Sequence, residues 1–249
     1  MTLTDQELAT CLRERTAFRR LVHVAGCAST MDLAAGDAGD DDAVFWADHQ
    51  QQGRGRQQRL WHGTAGLDLA VTFRVRPHLP APMALPAVVP LCVLETLAAR
   101  GAAPLRLKWP NDVLLGERKI AGVLIDAATP RAGIYLIGVG ININSRSLPP
   151  ALSPIATSLR IATGRDHDRS ELLLDLAVRL DRALQSLARG DHTPFEARFR
   201  ERLGLMRRRV VVRAGVEARG ELVWLDFGGL VLGDGVTFPL GQVQELRAE

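Results

Sequence analysis

The sequence predicts an α+β fold, in which a mixed β-sheet with flanking helices is followed by a small all-β, barrel-like domain. Helical and strand-like hydrophobic patterns alternate as far as residue 203, and tight turns separate several of the strand-like runs, which favours antiparallel neighbours in a mixed sheet. From residue 208 the pattern changes to short β runs divided by glycine turns. We therefore place one domain at residues 1–205 and a second at residues 206–249.

Apolar residues at helical spacing predict five helices. The first runs from residue 5 to residue 19, because Thr4 and Glu7 have the spacing of a capping box and apolar residues follow on one face. A short second helix begins at Met31, where Ser29 and Thr30 could cap it. The other three begin at residues 83, 170 and 194 and end at residues 100, 187 and 203.

Short apolar and β-branched runs predict the strands. In the first domain they cover residues 21–25, 43–48, 67–75, 105–107, 113–115, 119–126 and 133–139, with a hairpin turn at residues 116–117. In the second domain they cover residues 210–213, 216–225, 229–232, 236–240 and 242–246. The acidic run at residues 37–42 is expected to be a solvated loop.

Composition excludes several classes of function. A net charge of +3 gives little reason to expect a nucleic-acid partner, although the pI is near 9.1. No apolar run approaches the roughly 20 residues of a membrane span, and no signal peptide is recognisable, so we expect no membrane association and a cytoplasmic location. Cys11, Cys27 and Cys92 form no C-x-x-C pair, which argues against structural zinc, and no metal-ligating residues are predicted. We expect the three thiols to be small core residues.

Two residue types are scarce and fall in short motifs. The chain has 29 arginines but only two lysines, Lys108 and Lys119, and its three asparagines are Asn111, Asn142 and Asn144. An ammonium is a compact point charge on a flexible stem, whereas a guanidinium is a rigid planar fork, so a retained lysine indicates a specific need. Chance survival under a bias toward arginine is the alternative explanation.

A polar, glycine-punctuated loop follows the second strand. It contains Gly53-Arg54-Gly55-Arg56, with Arg59 and Trp61 downstream. Glycines could turn backbone N–H groups inward as an anion-binding nest, and arginines supply forked donors for carboxylate or phosphate. For this motif by itself an ordinary solvated basic loop is the favoured interpretation.

Four motifs in order resemble those of the biotin protein ligase family. They are residues 53–56 with Arg59 and Trp61, then Lys108-Trp109-Pro110-Asn111-Asp112, then Arg118-Lys119-Ile120-Ala121-Gly122, then Gly138-Val139-Gly140-Ile141-Asn142. The resemblance implies a class II synthetase-like catalytic domain followed by an SH3-like domain. It also implies a reaction with ATP and Mg²⁺, in which biotin becomes biotinyl-5′-AMP and is passed to one lysine of a biotin carboxyl carrier protein. The chain could also form a homodimer through an exposed sheet edge.

The resemblance assigns site residues. Those implied for biotin are Ser29, Thr30, Gln50, Gly53, Arg54, Arg56, Lys119 and Gly122. Those implied for the nucleotide are Arg54, Arg56, Arg59, Trp61, Asn111, Lys119 and Asn142. The catalytic residues implied are Lys119, Arg56 and Asp112. One anion attacks another, so positive charge from Lys119, Arg56 and Arg54 must neutralise both, whereas Asp112 is assigned to the incoming amine.

Two of these assignments have alternatives. Asp112 orients or deprotonates the incoming amine, or is a structural carboxylate. Lys108 either faces the nucleotide or pairs with Asp112 at the surface, and the second is favoured. Trp109 is expected to be scaffold.

The sequence departs from the family pattern in several places. Met31 and Asp68 stand where asparagine is usual, and Gly63-Thr64 replaces a more usual Ser-Pro, which affects expected affinity and not the reaction class. About 20 residues precede the catalytic domain, so no winged-helix DNA-binding domain is expected. Two other functions stay open. One is a lipoate-type protein ligase, and the other is a non-catalytic biotin or adenylate binder.

Overall fold

The computed structural model describes residues 2–126 and 133–249. The helices are α1 Asp5–Arg15, α2 Thr30–Gly36, α3 Leu85–Ala98, α4 Leu159–Thr163, α5 Arg169–Ala188 and α6 Thr193–Leu203. The strands of the first sheet are β1 Arg20–Val24, β2 Ala43–Ala47, β3 Leu69–Val75, β4 Leu105–Lys108, β5 Asp112–Leu115, β6 Arg118–Asp126 and β7 Tyr135–Ile141. The strands of the second sheet are β8 Arg209–Ala214, β9 Val216–Leu225, β10 Gly229–Leu232, β11 Thr237–Pro239 and β12 Glu245–Ala248.

The first sheet is mixed, as predicted. Its seven strands lie in the order β1-β2-β3-β7-β6-β5-β4. Strand β1 pairs in parallel with β2, and each other neighbouring pair is antiparallel, including the predicted β5–β6 hairpin. Alternate residues of β3 and β7 give the sheet one large apolar face, with Leu69, Val71, Phe73 and Val75 beside Tyr135, Ile137, Val139 and Ile141, and that face needs extensive cover.

Helices cover the two faces of this sheet unequally. The apolar helix α3 packs on β4, β5 and β6, and α5 packs behind it, so one face carries the large core. The short helix α2 contacts β2, β3 and β7 on the other face and forms a smaller cluster with them. Because α2 is only seven residues long, much of this second face stays open, and the candidate site lies there.

The second sheet packs against the first domain and does not stand apart from it. Its strands lie in the order β11-β10-β9-β8-β12 and pair antiparallel. Its buried side chains belong to the same apolar cluster as α3 and α5. The Trp109 indole N–H donates to the Val243 carbonyl at 2.7 Å, and the Trp109 ring meets Phe199 edge-on with centroids 5.8 Å apart. Trp109 is therefore scaffold, as predicted, and the division of the chain at residue 205 stays a prediction.

The first helix is shorter than predicted. It has the expected capping box at Thr4 and Glu7, but it ends at Arg15 and not at residue 19. Thr16 takes an extended conformation, and its hydroxyl donates to the Leu12 carbonyl at 2.6 Å. Phe18 is buried, yet it lies beyond the helix, so the apolar spacing overran the true end. Helix α4 was not predicted, because five residues are too few to display a period.

The acidic run at residues 37–42 is a loop, as predicted, but two of its carboxylates are paired with arginines and are not simply solvated. The side chain of Arg74 is only 3% exposed and pairs with Asp37 at 2.9 Å and with Asp41 at 3.3 Å. Arg20 also pairs with both carboxylates. The hydrogen bond from Arg20 is the main reason that the pKa of the Asp37 carboxyl lies below its usual range. Ion pairs with Arg20 on β1 and Arg74 on β3 hold this segment in place. The charges along the sequence do not reveal these pairs, because the partners are distant in the chain.

Candidate active site

A cavity of about 800 Å³ lies on the open face of the first sheet. Most of the predicted site residues line it, namely Ser29, Thr30, Gln50, Arg54, Arg56, Arg59, Trp61, Asn111, Asp112, Lys119, Gly122 and Asn142. Gly53 is the exception, since it lies buried behind Trp61. The structure therefore brings together residues from four motifs that span residues 53–142, along with three polar residues at positions 29, 30 and 50.

A β-bulge aims the third motif into the cavity. Lys119 and Gly122 both line the cavity, although residues three apart on a regular strand point to opposite faces. The register slips here, because Val113 pairs with Ala121 while Leu114 pairs with Lys119. Ile120 is thus an extra residue whose side chain enters the core. The bulge places two core residues between two site residues.

Lys119 is held by Asp112 beneath the Trp61 ring. The Lys119 Nζ lies 2.6 Å from Asp112 Oδ1 and 5.4 Å from the centroid of Trp61. The contact to Asp112 is an ion pair, and no hydrogen bond from another described group reaches Asp112 Oδ1. Both side chains are partly exposed, at 33% and 22%, and are accessible to a ligand.

The favoured prediction for Lys108 is wrong. Lys108 lies directly opposite Asp112 across the β4–β5 pair, but Asp112 is paired with Lys119 instead. Lys108 is exposed, lines the cavity, and has no ion pair within the described residues. Its ammonium therefore faces the site, which was the other alternative.

The glycine-rich loop is a narrow hairpin. The Trp61 N–H donates to the Gly53 carbonyl and the Gly55 N–H donates to the Arg59 carbonyl, each at 2.7 Å. Gly55 is extended, at φ −112°, and its N–H is already used, so the anion-binding nest, which was the less favoured alternative for this motif, is not formed there. The glycine at position 53 permits close approach instead, because a Cβ there would lie 2.8 Å from the Trp61 carbonyl oxygen.

The arginines of this loop differ in what they contact. Arg54 pairs with Asp32 on helix α2, which ties the hairpin to that helix. Arg56 and Arg59 line the cavity and have no carboxylate partner in the described part of the chain. Their charge is therefore available to an anionic ligand.

A polar group at the start of α2 forms another wall. The Thr30 N–H and hydroxyl donate to Gln50 Oε1, at 2.7 and 3.0 Å. Two donors from Thr30 already occupy the Gln50 side-chain oxygen, so the Gln50 amide nitrogen is the atom available to donate to a ligand. Ser29 is the N-cap of α2 and accepts from the Met31 N–H, which leaves its hydroxyl proton free to donate.

Three glycines form the floor of the cavity. A Cβ at Gly140 would lie 2.3 Å from the Trp61 ring, and one at Gly122 would lie 3.1 Å from it. A Cβ at Gly138 would lie 2.8 Å from the Met31 sulfur. The Trp61 indole and the Met31 side chain therefore rest directly on the backbone of β6 and β7. Met31 lines the cavity as an apolar side chain.

The asparagines have separate tasks. Asn142 donates from Nδ2 to the Thr157 carbonyl at 2.9 Å, while its Oδ1 is buried without a partner among the described residues. Asn111 donates to the Val123 carbonyl at 3.0 Å and lines the cavity. Asn144 exchanges two hydrogen bonds with the backbone of His167 and is structural.

Asp68 is a buried structural carboxylate. It is 4% exposed and accepts from the backbone N–H groups of Thr64 and Ile143, both at 2.8 Å, and from the Ser145 hydroxyl at 2.7 Å. It therefore ties the segment after the glycine-rich hairpin to the end of β7. The sequence departure at this position changes the support of the site and not its lining.

Some lining residues were not predicted. The C-terminal sheet contributes Arg213, Gln244 and Glu245, and the exposed side chains of Leu60 and Ile155 also face the cavity. None of these positions belongs to a motif, so only their placement in space identifies them. Among the described residues, no group of three or more His, Cys, Asp or Glu side chains is arranged to hold a metal ion. No helix in the described ranges is long and apolar enough to cross a membrane.

Comparison with known proteins identifies the family of this chain. Residues 37–144 match the biotin/lipoate A/B protein ligase family. A biotin–acetyl-CoA-carboxylase ligase of Paracoccus denitrificans is 32% identical over 215 residues, which cover 82% of this chain and 88% of that protein. This chain belongs to the biotin protein ligase family. A biotin protein ligase from Aquifex aeolicus, solved in complex with biotin and ATP, superposes with a TM-score of 0.82 at 28% identity and covers 93% of this chain and 100% of that one. The predicted family and fold are confirmed.

The match to longer relatives is partial. The bifunctional ligase/repressor BirA of Bacillus spizizenii is 28% identical to this chain over 203 residues. The matched residues cover 78% of this chain and 62% of BirA. The chain thus spans about three fifths of the length of that relative.

Proposed function

We propose that this biotin protein ligase family member activates biotin with ATP as biotinyl-5′-AMP and transfers the biotin to a lysine of a biotin carboxyl carrier protein. The observation that carries the proposal is the cavity in which Lys119, Asp112, Trp61 and Arg56 meet over a glycine floor. The Aquifex relative, which binds biotin and ATP, supports the same assignment.

In the first half-reaction a biotin carboxylate oxygen attacks the α-phosphorus of ATP. The new oxygen–phosphorus bond forms as the bond to the β-phosphate breaks, and pyrophosphate leaves. Two anions approach each other in this step, so the barrier falls only if fixed positive charge faces both. Lys119 and Arg56 are the cations assigned to that charge, with Lys119 positioned by Asp112 until a ligand takes its place.

Biotin is assigned to the polar wall at the start of α2. Its ureido carbonyl needs donors, and the Gln50 amide nitrogen and the Ser29 hydroxyl supply them once Thr30 has fixed the Gln50 amide. Arg54 would stabilise the closed hairpin over the ligand through Asp32. A closed hairpin protects an acyl-adenylate from water.

The nucleotide is assigned to the other end of the cavity. Trp61 offers an aromatic face, and Asn142 Oδ1 is an acceptor without a partner in the described part of the chain, which suits the amino group of adenine. Arg59 and Asn111 complete this end. Bound Mg²⁺ would neutralise phosphate charge. That ion is normally held through substrate phosphates and water with one or two protein oxygens.

In the second half-reaction the amine of the carrier lysine attacks the acyl carbon of the adenylate. An amide bond forms, the acyl–oxygen bond breaks and AMP leaves. A lysine amine must lose a proton, and Asp112 Oδ1 is the acceptor assigned to it when Lys119 has turned to the phosphate. We place the protein in the cytoplasm, which its three free thiols support, and leave homodimer formation as a prediction.

The deciding experiment measures pyrophosphate release from Mg-ATP, with biotin, lipoate or octanoate supplied separately and no carrier present. Release with biotin alone is the expected result. Release with lipoate alone would move the protein to the lipoate-type ligases, and silence with all three would contradict catalysis.

A matched pair of variants tests the role of Lys119. Lys119→Ala should fold and make almost no adenylate, whereas Arg118→Ala, at the exposed neighbouring position, should act as the unmodified protein does. Near-normal pyrophosphate release by Lys119→Ala would refute the role given to that lysine.

A further inference from the structure

Met31 lies where the cavity meets the small apolar cluster of α2, β2 and β7. Its side chain is only 5% exposed, lines the cavity, and packs in that cluster with Ala34, Phe45 and Leu136. Its sulfur rests on the backbone of β7, since a Cβ at Gly138 would lie 2.8 Å from it. Packing on two sides therefore fixes this side chain, and neither half-reaction as described uses it.

Polar groups adjoin Met31 along the chain and across the wall of the cavity. Ser29 and Thr30 precede it, and Thr30 fixes the side-chain amide of Gln50 through two hydrogen bonds to its oxygen. The Met31 N–H is itself bonded to the Ser29 hydroxyl oxygen at 3.2 Å. This end of the cavity thus presents donors from Ser29 and Gln50 beside an apolar surface from Met31. A ligand that fits it has a polar edge next to an apolar one.

We propose that Met31 is a specificity-determining residue, whose thioether packs on the tetrahydrothiophene ring of biotin. The inference rests on the proposed function, which assigns the ureido carbonyl of biotin to Ser29 and Gln50. The sulfur-containing ring is fused to the ureido ring and is the apolar half of the bicycle, so it lies against the apolar surface beside those donors. Dispersion contacts between a thioether and such a ring are favourable, because sulfur is polarizable.

The spacing between Met31 and Lys119 agrees with this placement. Gly140 pairs with Gly122 across β6 and β7, and Gly138 lies two residues along β7, or about 7 Å away. Lys119 lies over Gly122, because its Nζ would be 3.0 Å from a Cβ there. The aliphatic chain of biotin has about five C–C bonds of about 1.5 Å and spans roughly 6 Å when extended. A ring seated on Met31 therefore brings the carboxylate to the Lys119 ammonium.

The test measures binding of biotin and of desthiobiotin by titration calorimetry, with no ATP or carrier present. Desthiobiotin keeps the ureido ring and the carboxylate chain but lacks the ring sulfur, so it cannot form the proposed contact in full. Met31→Ala removes the thioether, and Met31→Gln keeps the length of the side chain but replaces the thioether by an amide. Leu136→Ala is the matched control, because Leu136 is 2% exposed in the same cluster and does not line the cavity.

The unmodified protein should bind biotin at least about tenfold more tightly than desthiobiotin. In both Met31 variants the Kd for biotin should rise about tenfold or more, whereas the Kd for desthiobiotin should rise no more than about threefold. Leu136→Ala should keep the preference of the unmodified protein. Equal rises for the two acids in the Met31 variants, or the same loss of preference in Leu136→Ala, would overturn the contact. Binding of biotin without any pyrophosphate release from Mg-ATP would instead contradict the proposed function, and the binding comparison would still decide the role of Met31.

Discussion

Replacing Gly140 by alanine should displace the Trp61 ring and weaken activation of biotin. Gly140 lies on β7 directly beneath the indole, and an added Cβ would meet ring atoms at 2.3, 2.6 and 2.7 Å. Ordinary contact begins near 3.4 Å, so the indole would have to move by about 1 Å. The atoms met belong to a rigid ring and not to the end of a flexible side chain, so a small rotation cannot relieve the clash.

The magnitude follows from two opposing effects. Overpacking a tight contact costs about 1–3 kcal/mol. Replacing a strand glycine recovers about 0.5–1 kcal/mol, because the unfolded chain loses conformational freedom. With mid-range values of about 2 and about 0.75 kcal/mol, the net cost is about 1.3 kcal/mol. If the displaced ring no longer meets the nucleotide, the same free energy is lost from the transition state, and a tenfold change in rate corresponds to about 1.4 kcal/mol.

We therefore expect kcat/KM for ATP in pyrophosphate release to fall about 10-fold in Gly140→Ala. Gly241→Ala is the control, since no atom lies within 4 Å of its added Cβ, and it should retain full activity. A double-mutant cycle with Trp61→Ala identifies the cause. The stability penalty of Gly140→Ala, measured by urea unfolding, should vanish once the indole is absent. Full activity and unchanged stability in Gly140→Ala would refute the reasoning.

Three further substitutions test the support around the site. Asp68→Asn should cost about 1–3 kcal/mol in urea unfolding, because the carboxylate accepts from donors on both oxygens and an amide must turn N–H toward one of them; unchanged stability would contradict this. Trp109→Phe should lose about 1–3 kcal/mol by leaving the buried Val243 carbonyl without its donor, and equal unfolding midpoints would speak against it. Arg20→Gln should raise the acid-unfolding midpoint. The lowered pKa of Asp37 supplies stability that is present above about pH 3.8 and is lost as the pH falls through the folded pKa; identical acid transitions would dismiss that contribution.

Sequence reasoning worked best where the signal is local. The capping box at Thr4, the β5–β6 hairpin and the N-cap at Ser29 each depend on residues within a few positions of one another, and each was found. It failed at the end of α1, because Phe18 is buried beyond the helix and continues the helical spacing of apolar residues. The spacing of apolar residues does not show where a helix ends when the segment after it also packs into the core.

Partner choice among charged residues could not be read from the chain. Lys108 is nearer than Lys119 to Asp112 in sequence and lies opposite it on the neighbouring strand, yet Lys119 makes the ion pair. The reason is the bulge at Ile120, which turns the lysine onto the cavity face. The acidic run shows the same dependence, because the arginine that pairs with it is buried on β3.

The sequence by itself determined the α+β class, the mixed sheet and the family, because hydrophobic periods and ordered motifs are properties of neighbouring residues. Tertiary structure alone decided that the C-terminal sheet lines the cavity, that Gly140 supports an indole, and that Leu60 and Ile155 face the same cavity. Leu60 and Ile155 are joined by no repeat or spacing in the chain. They adjoin one site because β-sheet pairing and a hairpin bring distant segments together, and only the folded register specifies which side chains then face the same solvent.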